Sequence, residues 1–218
     1  MDENGARMMA SPRTLCRLYL KLSVRPSTEV ESAFAQVIAG ADVACVLFGA
    51  GEVSPDMARA GKILRLAHER DIAVLVEEDA QLAQGLGADG VQITANADAY
   101  SRARTLLGNT AIVGVDCGIN RHDAMTFAEL GADYVAFGSH AEDAEFAKEQ
   151  RAELIAWWSE IFVVPCIALD VDDAADANHL ASLGADFVAL SEHLWRGENA
   201  VDRIMEIAAS VTQARSAA

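Results

Sequence analysis

Apolar residues along this chain come in two alternating textures. Short runs dense in Val, Ile and Leu stand at 15–23 (LCRLYLKLS), 72–77 (IAVLVE), 111–117 (AIVGVDC) and 161–170 (IFVVPCIALD). They lack a clean polar alternation, which is the texture of parallel strands covered on both faces. Between them the apolar spacing turns helical and predicts helices over 28–39, 55–70, 79–86, 99–107, 122–130, 147–160, 173–183 and 198–213.

Four more strands come attached to a recurring Gly-Ala-Asp: GADVACVLFG from 40, GADGVQI from 87, GADYVAFG from 131 and GADFVAL from 184, at spacings of 47, 44 and 53 residues. A recurrence at that period marks a repeated supersecondary unit. Each Gly falls where a helix ends and a left-handed residue suits the chain, and each Asp falls where a strand begins. Eight strands alternating with eight helices predict an α/β fold, a single (β/α)8 TIM barrel, because parallel strands need right-handed crossover helices and four two-unit repeats close a ring. A doubly wound open sheet is the competing arrangement; no Gly-rich dinucleotide or phosphate loop follows any strand to support it. The barrel is expected over 15–213, with a flexible tail at 1–14 and a second at 214–218.

Composition narrows the class. Of 218 residues, 52% are hydrophobic and 23% charged, a globular balance, and no apolar run approaches the roughly 18 to 20 residues of a membrane span. Residues 1–14 carry no apolar stretch of signal-peptide length, so a cytoplasmic location is expected. The cysteines at 16, 45, 117 and 166 form no C-x-x-C pair and suit reduced, buried thiols. Seventeen basic against thirty-three acidic residues leave a formal charge of −16, which repels nucleic acid and anionic membrane and leaves a small-molecule ligand as the expected partner.

RLYLKL at 17–22, LVEEDAQLAQGLGADGVQI at 75–93, LLGNTAIVGVDCG at 106–118, GADYVAFG at 131–138 and the GADFVALS end together resemble the thiamine phosphate synthase family and its thiazole tautomerase relatives, from about 16 to 210. The resemblance implies a transferase that joins a pyrimidine-methyl diphosphate to a thiazole phosphate and releases pyrophosphate with the help of Mg2+. The family's Asn-Asp after the third strand falls on Glu77 and Glu78, which makes Glu78 the implied metal ligand. The second metal-binding Asp aligns with Ala97, and Asp98, one residue on, takes that place through a one-residue shift. The Gln-x-Arg-x-x-x-Lys region falls on VLFGAGE (46–52), without a cation. The Thr-x-Thr-Lys loop falls on Asp143, Ala144, Glu145 and Phe146, where Lys148 is the nearest replacement for the lysine. The Gly-Gly turn falls on Asp170 and Val171, and the Ser after the fifth strand on Asp116. Asp170, Lys148 and Ser191 are the implied substrate-binding set. The tautomerase relatives place a His directly after the sixth-strand Gly; His140 stands one residue further, and with Asp116 it is the implied acid–base pair.

Twelve acids are expected at one barrel end: Glu77, Glu78, Asp79, Asp98, Asp116, Glu142, Asp143, Glu145, Asp170, Asp172, Asp173 and Glu192. Clustered carboxylates suit a divalent cation or a cationic small molecule, while Asp79 and Asp172 or Asp173 precede helices and suit capping. His193 joins His140 on this rim; His68, His122 and His179 read as surface residues of helices. Acids beside Cys117 disfavour its thiolate. Trp157 and Trp158 cannot share one helix face, so one is expected to pack on the barrel and the other to face a neighbour, as in a homo-oligomer. Two functions are carried forward: a thiamine-pathway transferase with altered or absent activity, and a non-catalytic regulatory barrel that binds a small molecule or metal.

Overall fold

The structure, a computed structural model, describes residues 16–49, 55–138 and 144–217. Eight parallel strands close into one barrel in chain order, the last pairing back onto the first. They are β1 Arg17–Ser23, β2 Val43–Gly49, β3 Ala73–Glu77, β4 Gly90–Thr94, β5 Ile112–Asp116, β6 Tyr134–Phe137, β7 Cys166–Val171 and β8 Phe187–Leu190. The helices are α1 Thr28–Gly40, α2 Met57–His68, α3 Ala80–Leu86, α4 Ala97–Leu107, α5 Arg121–Glu129, α6 Ala144–Ile161, α7 Ala174–Ser182 and α8 Ala200–Ala217. The (β/α)8 TIM barrel expected from the repeat is the fold observed.

Successive strand residues point to opposite sides of the sheet, and this divides the core in two. Tyr19, Cys45, Leu47, Leu75, Tyr134, Ala136, Ile167, Leu169 and Ala189 fill the barrel interior. The alternate positions, among them Leu18, Leu20, Val46, Phe48, Val74, Val91, Val113, Val135 and Ala168, pack outward against the helices. Both faces of each strand are buried, which explains the unbroken apolar runs in the sequence. Gly114 has a specific reason inside: a Cβ there would lie 1.9 Å from Cζ of Tyr134, whose ring lies across that strand.

The repeated Asp is a staple at the N-terminal end of the barrel. Asp89 accepts the Val74 N–H at 2.7 Å, Asp133 the Val113 N–H at 2.7 Å and Asp186 the Cys166 N–H at 2.8 Å through their carboxylates. Each of the three also donates its own N–H to the carbonyl of the same residue. One side chain thereby ties each strand to the one before it. The first copy departs from this: Asp42 takes the Arg17 guanidinium at 2.7 Å, and its carbonyl accepts from Leu18. Gly87, Gly131 and Gly184 are left-handed at φ 71°, 89° and 100°, whereas Gly40 lies within α1 and Ala41 caps that helix.

The structure departs from the sequence pattern at several places. The apolar run at 161–170 is not one strand: Ile161 ends α6, Val163 is 98% exposed, and regular pairing begins at Cys166. Pro165, with no N–H to donate, stands at that junction and contributes only its carbonyl, to Val135. α8 continues to Ala217, past the expected end at 213. A 3-10 turn, Glu192–Trp195, follows β8 and seats Trp195 against β1, its indole N–H donating to the Lys21 carbonyl at 2.8 Å.

Candidate functional site

Barrels of this kind carry their chemistry where the strands end. There, Tyr19, Lys21, Leu47, Glu77, Gln92, Asp116, Leu169, Asp170, Ala189, Leu190 and Ser191 line a small hollow that opens to solvent. Two larger hollows lie elsewhere. One, of about 770 Å³, surrounds His68, Asp71 and Asp89 at the staple end, and another, of about 1360 Å³, is a groove between α1 and the start of α8. Of these three hollows, the mouth cavity is the one that gathers inward-facing residues from the ends of many strands.

Lys21 is the single lysine or arginine among the described residues lining the mouth, and it is committed: Nζ donates to Glu77 Oε1 at 2.7 Å. Gly49 leaves the room for this pair. A Cβ there would stand 3.2 Å from Lys21 Cε, 3.4 Å from Glu192 Oε2 and 3.5 Å from Glu77 Oε2, so both carboxylates approach one spot. Asp116 Oδ1 accepts the Gly118 N–H at 2.9 Å. Asp170 is exposed and holds a left-handed backbone, φ 58°. Buried Arg151 steadies it from below, donating to the carbonyls of Leu169 and Asp170 and pairing with Asp176 at 2.6 Å. Gly138 faces it, since a Cβ there would lie 3.0 Å from Asp170 Oδ2.

Below the carboxylates lies a polar floor. The hydroxyls of Tyr19 and Tyr134 are 2.9 Å apart, Tyr134 donates to Gln92 Oε1 at 3.0 Å, and Tyr19 lies 3.4 Å from the same oxygen. Burial raises the pKa of both phenols well above the ordinary value, so both are neutral donors.

The model of the family described as thiamine monophosphate synthase matches residues 23–194. The chain belongs to this family. It is similar to the thiamine-phosphate synthase of Rhodospirillum centenum, with 39% identity over 191 residues covering 84% of this chain and 90% of the relative. It is also similar to that of Hyphomonas neptunium, with 32% identity covering 87% and 90%. Among solved structures, a thiamine phosphate pyrophosphorylase from Pyrococcus furiosus superposes with a TM-score of 0.74 at 20% identity, covering 93% of this chain and 98% of that one, a likeness of fold.

Of the residues singled out by the family resemblance, the structure brings Asp116, Asp170 and Ser191 together in the mouth and disperses the others. Glu78, left-handed at φ 61°, turns its Oε1 to the N–H of Thr94 at 2.5 Å and the hydroxyl of Thr94 at 2.6 Å. Asp98 is exposed in the first turn of α4, where its charge complements the helix dipole. Lys148 pairs with Asp173 at 3.6 Å between α6 and α7 and does not line the mouth. His140 lies outside the described residues, as do Glu142 and Asp143 and the side chain of Glu145. Asp79 and Asp173 cap α3 and α7, and Asp172 meets His193 at 3.5 Å.

Magnesium is held by one or two carboxylates plus substrate oxygens. Here one oxygen of Glu78 is taken by two Thr94 donors, Asp98 serves a helix, and among the described residues no group of three or more His, Cys, Asp or Glu is placed to hold a metal.

Gln92 and Tyr134 were not singled out from the sequence. The available signal was parity: in GVQIT, Gln92 is a polar residue at an inward position of a strand buried on both faces. Trp158 is 1% exposed, and its N–H donates to the Val164 carbonyl at 2.7 Å. Trp157 is half-buried, with the Arg121 guanidinium 4.8 Å over its ring. Among the described residues no helix is long and apolar enough to cross a membrane.

Proposed function

We propose that this member of the thiamine monophosphate synthase family has exchanged a phosphate-handling mouth for one that holds a small cationic molecule, and that it lacks the family's coupling reaction. The observation that carries this is the pairing of Lys21 with Glu77 at 2.7 Å while Asp116 and Asp170 line the same cavity. A diphosphate entering it meets carboxylates and no uncommitted cation among the described residues. Each like-charge contact at about 4 Å costs roughly 1 kcal/mol in water and about 4 at an effective dielectric of 20. For a cation the same terms are favourable. The left-handed backbone of Asp170 supports the reading, since strain of about 1–3 kcal/mol persists where a side chain must be aimed.

A second reading, retention of the coupling reaction, is favoured by the 39% identity to a relative named thiamine-phosphate synthase. Incubation of the full chain with both precursors and magnesium separates the two. The first reading expects no thiamine phosphate above background, and robust turnover overturns it.

A further inference from the structure

Gln92 is 2% exposed and lines the mouth. Its amide oxygen is taken by the Tyr134 hydroxyl at 3.0 Å, with Tyr19 behind it. Among the described residues its Nε2 has no hydrogen-bond partner, although a buried amide of this kind is ordinarily satisfied. Nor does it count among the fully enclosed unsatisfied atoms, which are Glu31 Oε1 and Arg151 Nε. The nitrogen therefore reaches the cavity. Two buried phenols, both kept neutral by burial, hold the oxygen of the carboxamide in a cavity that Asp116 and Asp170 also line.

We propose that Gln92 determines the specificity of this site by donating a hydrogen bond to a neutral acceptor on the ligand. The ligand class is then a small cation that also carries a neutral ring nitrogen or carbonyl: the charge answers the carboxylates of the rim, and the acceptor answers the floor. A bare ammonium satisfies only the rim. This inference rests on the cation-binding reading above and adds the second recognition element. The donor is built in advance, because the tyrosine hydroxyls fix the amide before any ligand arrives, so little ordering cost attends the contact.

Thiamine is a suitable probe, being a thiazolium cation with a neutral aminopyrimidine. Calorimetric titrations of the full chain use thiamine and the two analogues in which one or the other pyrimidine nitrogen is replaced by C–H, against wild type and Gln92→Met. The expected result is a loss of about tenfold in thiamine affinity for Gln92→Met, as for one hydrogen bond in a dry site. One analogue loses a similar factor on wild type and nothing further on the variant. The double variant Gln92→Met/Tyr134→Phe removes one of the two hydroxyls that share the amide oxygen and is expected to bind like the single variant.

Wild-type binding that Gln92→Met leaves unchanged overturns the inference alone. Absence of thiamine binding to wild type overturns the cation-binding reading and the inference with it. Should the variants fail to fold, the wild-type side-chain amide resonance of Gln92 is decisive: it shifts on addition of thiamine and not of tetramethylammonium if the inference holds, and an unmoved resonance in the thiamine complex overturns it.

Discussion

At the scale of single residues, burial decides what the cysteines and the small residues of the barrel do. All four cysteines are buried, and none of them forms a disulfide. Desolvation, with Asp186 nearby, pushes the Cys166 thiol up to about 12, and burial together with Asp116 and Asp123 raises that of Cys117 further. A folded pKa above the unfolded value of about 8.5 means that these thiols contribute stability below about pH 8.5, lost as pH rises through the folded value. Thiol-reactive reagents are therefore expected to leave the native protein unlabelled at neutral pH and to label it on unfolding, and denaturant melts are expected to show stability declining above about pH 8.5. Gly114 is a sharper case. Its missing Cβ is occupied by the ring of Tyr134, so Gly114→Ala forces the tyrosine out of the floor. Overpacking of that kind costs about 3 kcal/mol, and a denaturant midpoint unchanged from wild type would show that the ring is not where the structure has it.

At the scale of elements, Gly-Ala-Asp is a device of closure. Asp133 joins β5 to β6 by accepting the Val113 N–H and also receives the Arg104 guanidinium at 2.5 Å. Asp133→Ala leaves a buried N–H and a partly buried guanidinium without this acceptor, and a loss of about 2–3 kcal/mol in unfolding free energy is expected. A loss below about 0.5 kcal/mol would mean that the repeat is an echo of ancestry without a mechanical role. This also shows why the fold was legible in the chain. The spacing of the motif and the doubly buried strands are local signals, and each was visible in a few residues. The mouth was less legible because it depends on which carboxylate meets which donor across strands. Glu78 was singled out by alignment and is turned to Thr94; Glu77, its neighbour, is the one that pairs with Lys21 in the cavity. A one-residue difference in a strand end reverses the side of the barrel to which a side chain points. Lys148, the nearest replacement in the sequence for the family's loop lysine, pairs in the structure with Asp173 at the start of the next helix.

At the scale of the whole molecule, a formal charge of −16 and a mouth lined by carboxylates act in the same direction. They raise the local concentration of cations and repel phosphates, and both effects weaken as salt shortens the screening length to about 8–10 Å at physiological strength. On the proposed reading the family scaffold is retained while its mouth takes a cation in place of a diphosphate. The measurement that tests this most directly is a paired calorimetric titration of the full chain with thiamine and with pyrophosphate plus magnesium, at low and at physiological salt. The account predicts saturable heat with thiamine, weakened as salt rises, and no binding of pyrophosphate. Saturable pyrophosphate binding with no response to thiamine would contradict it.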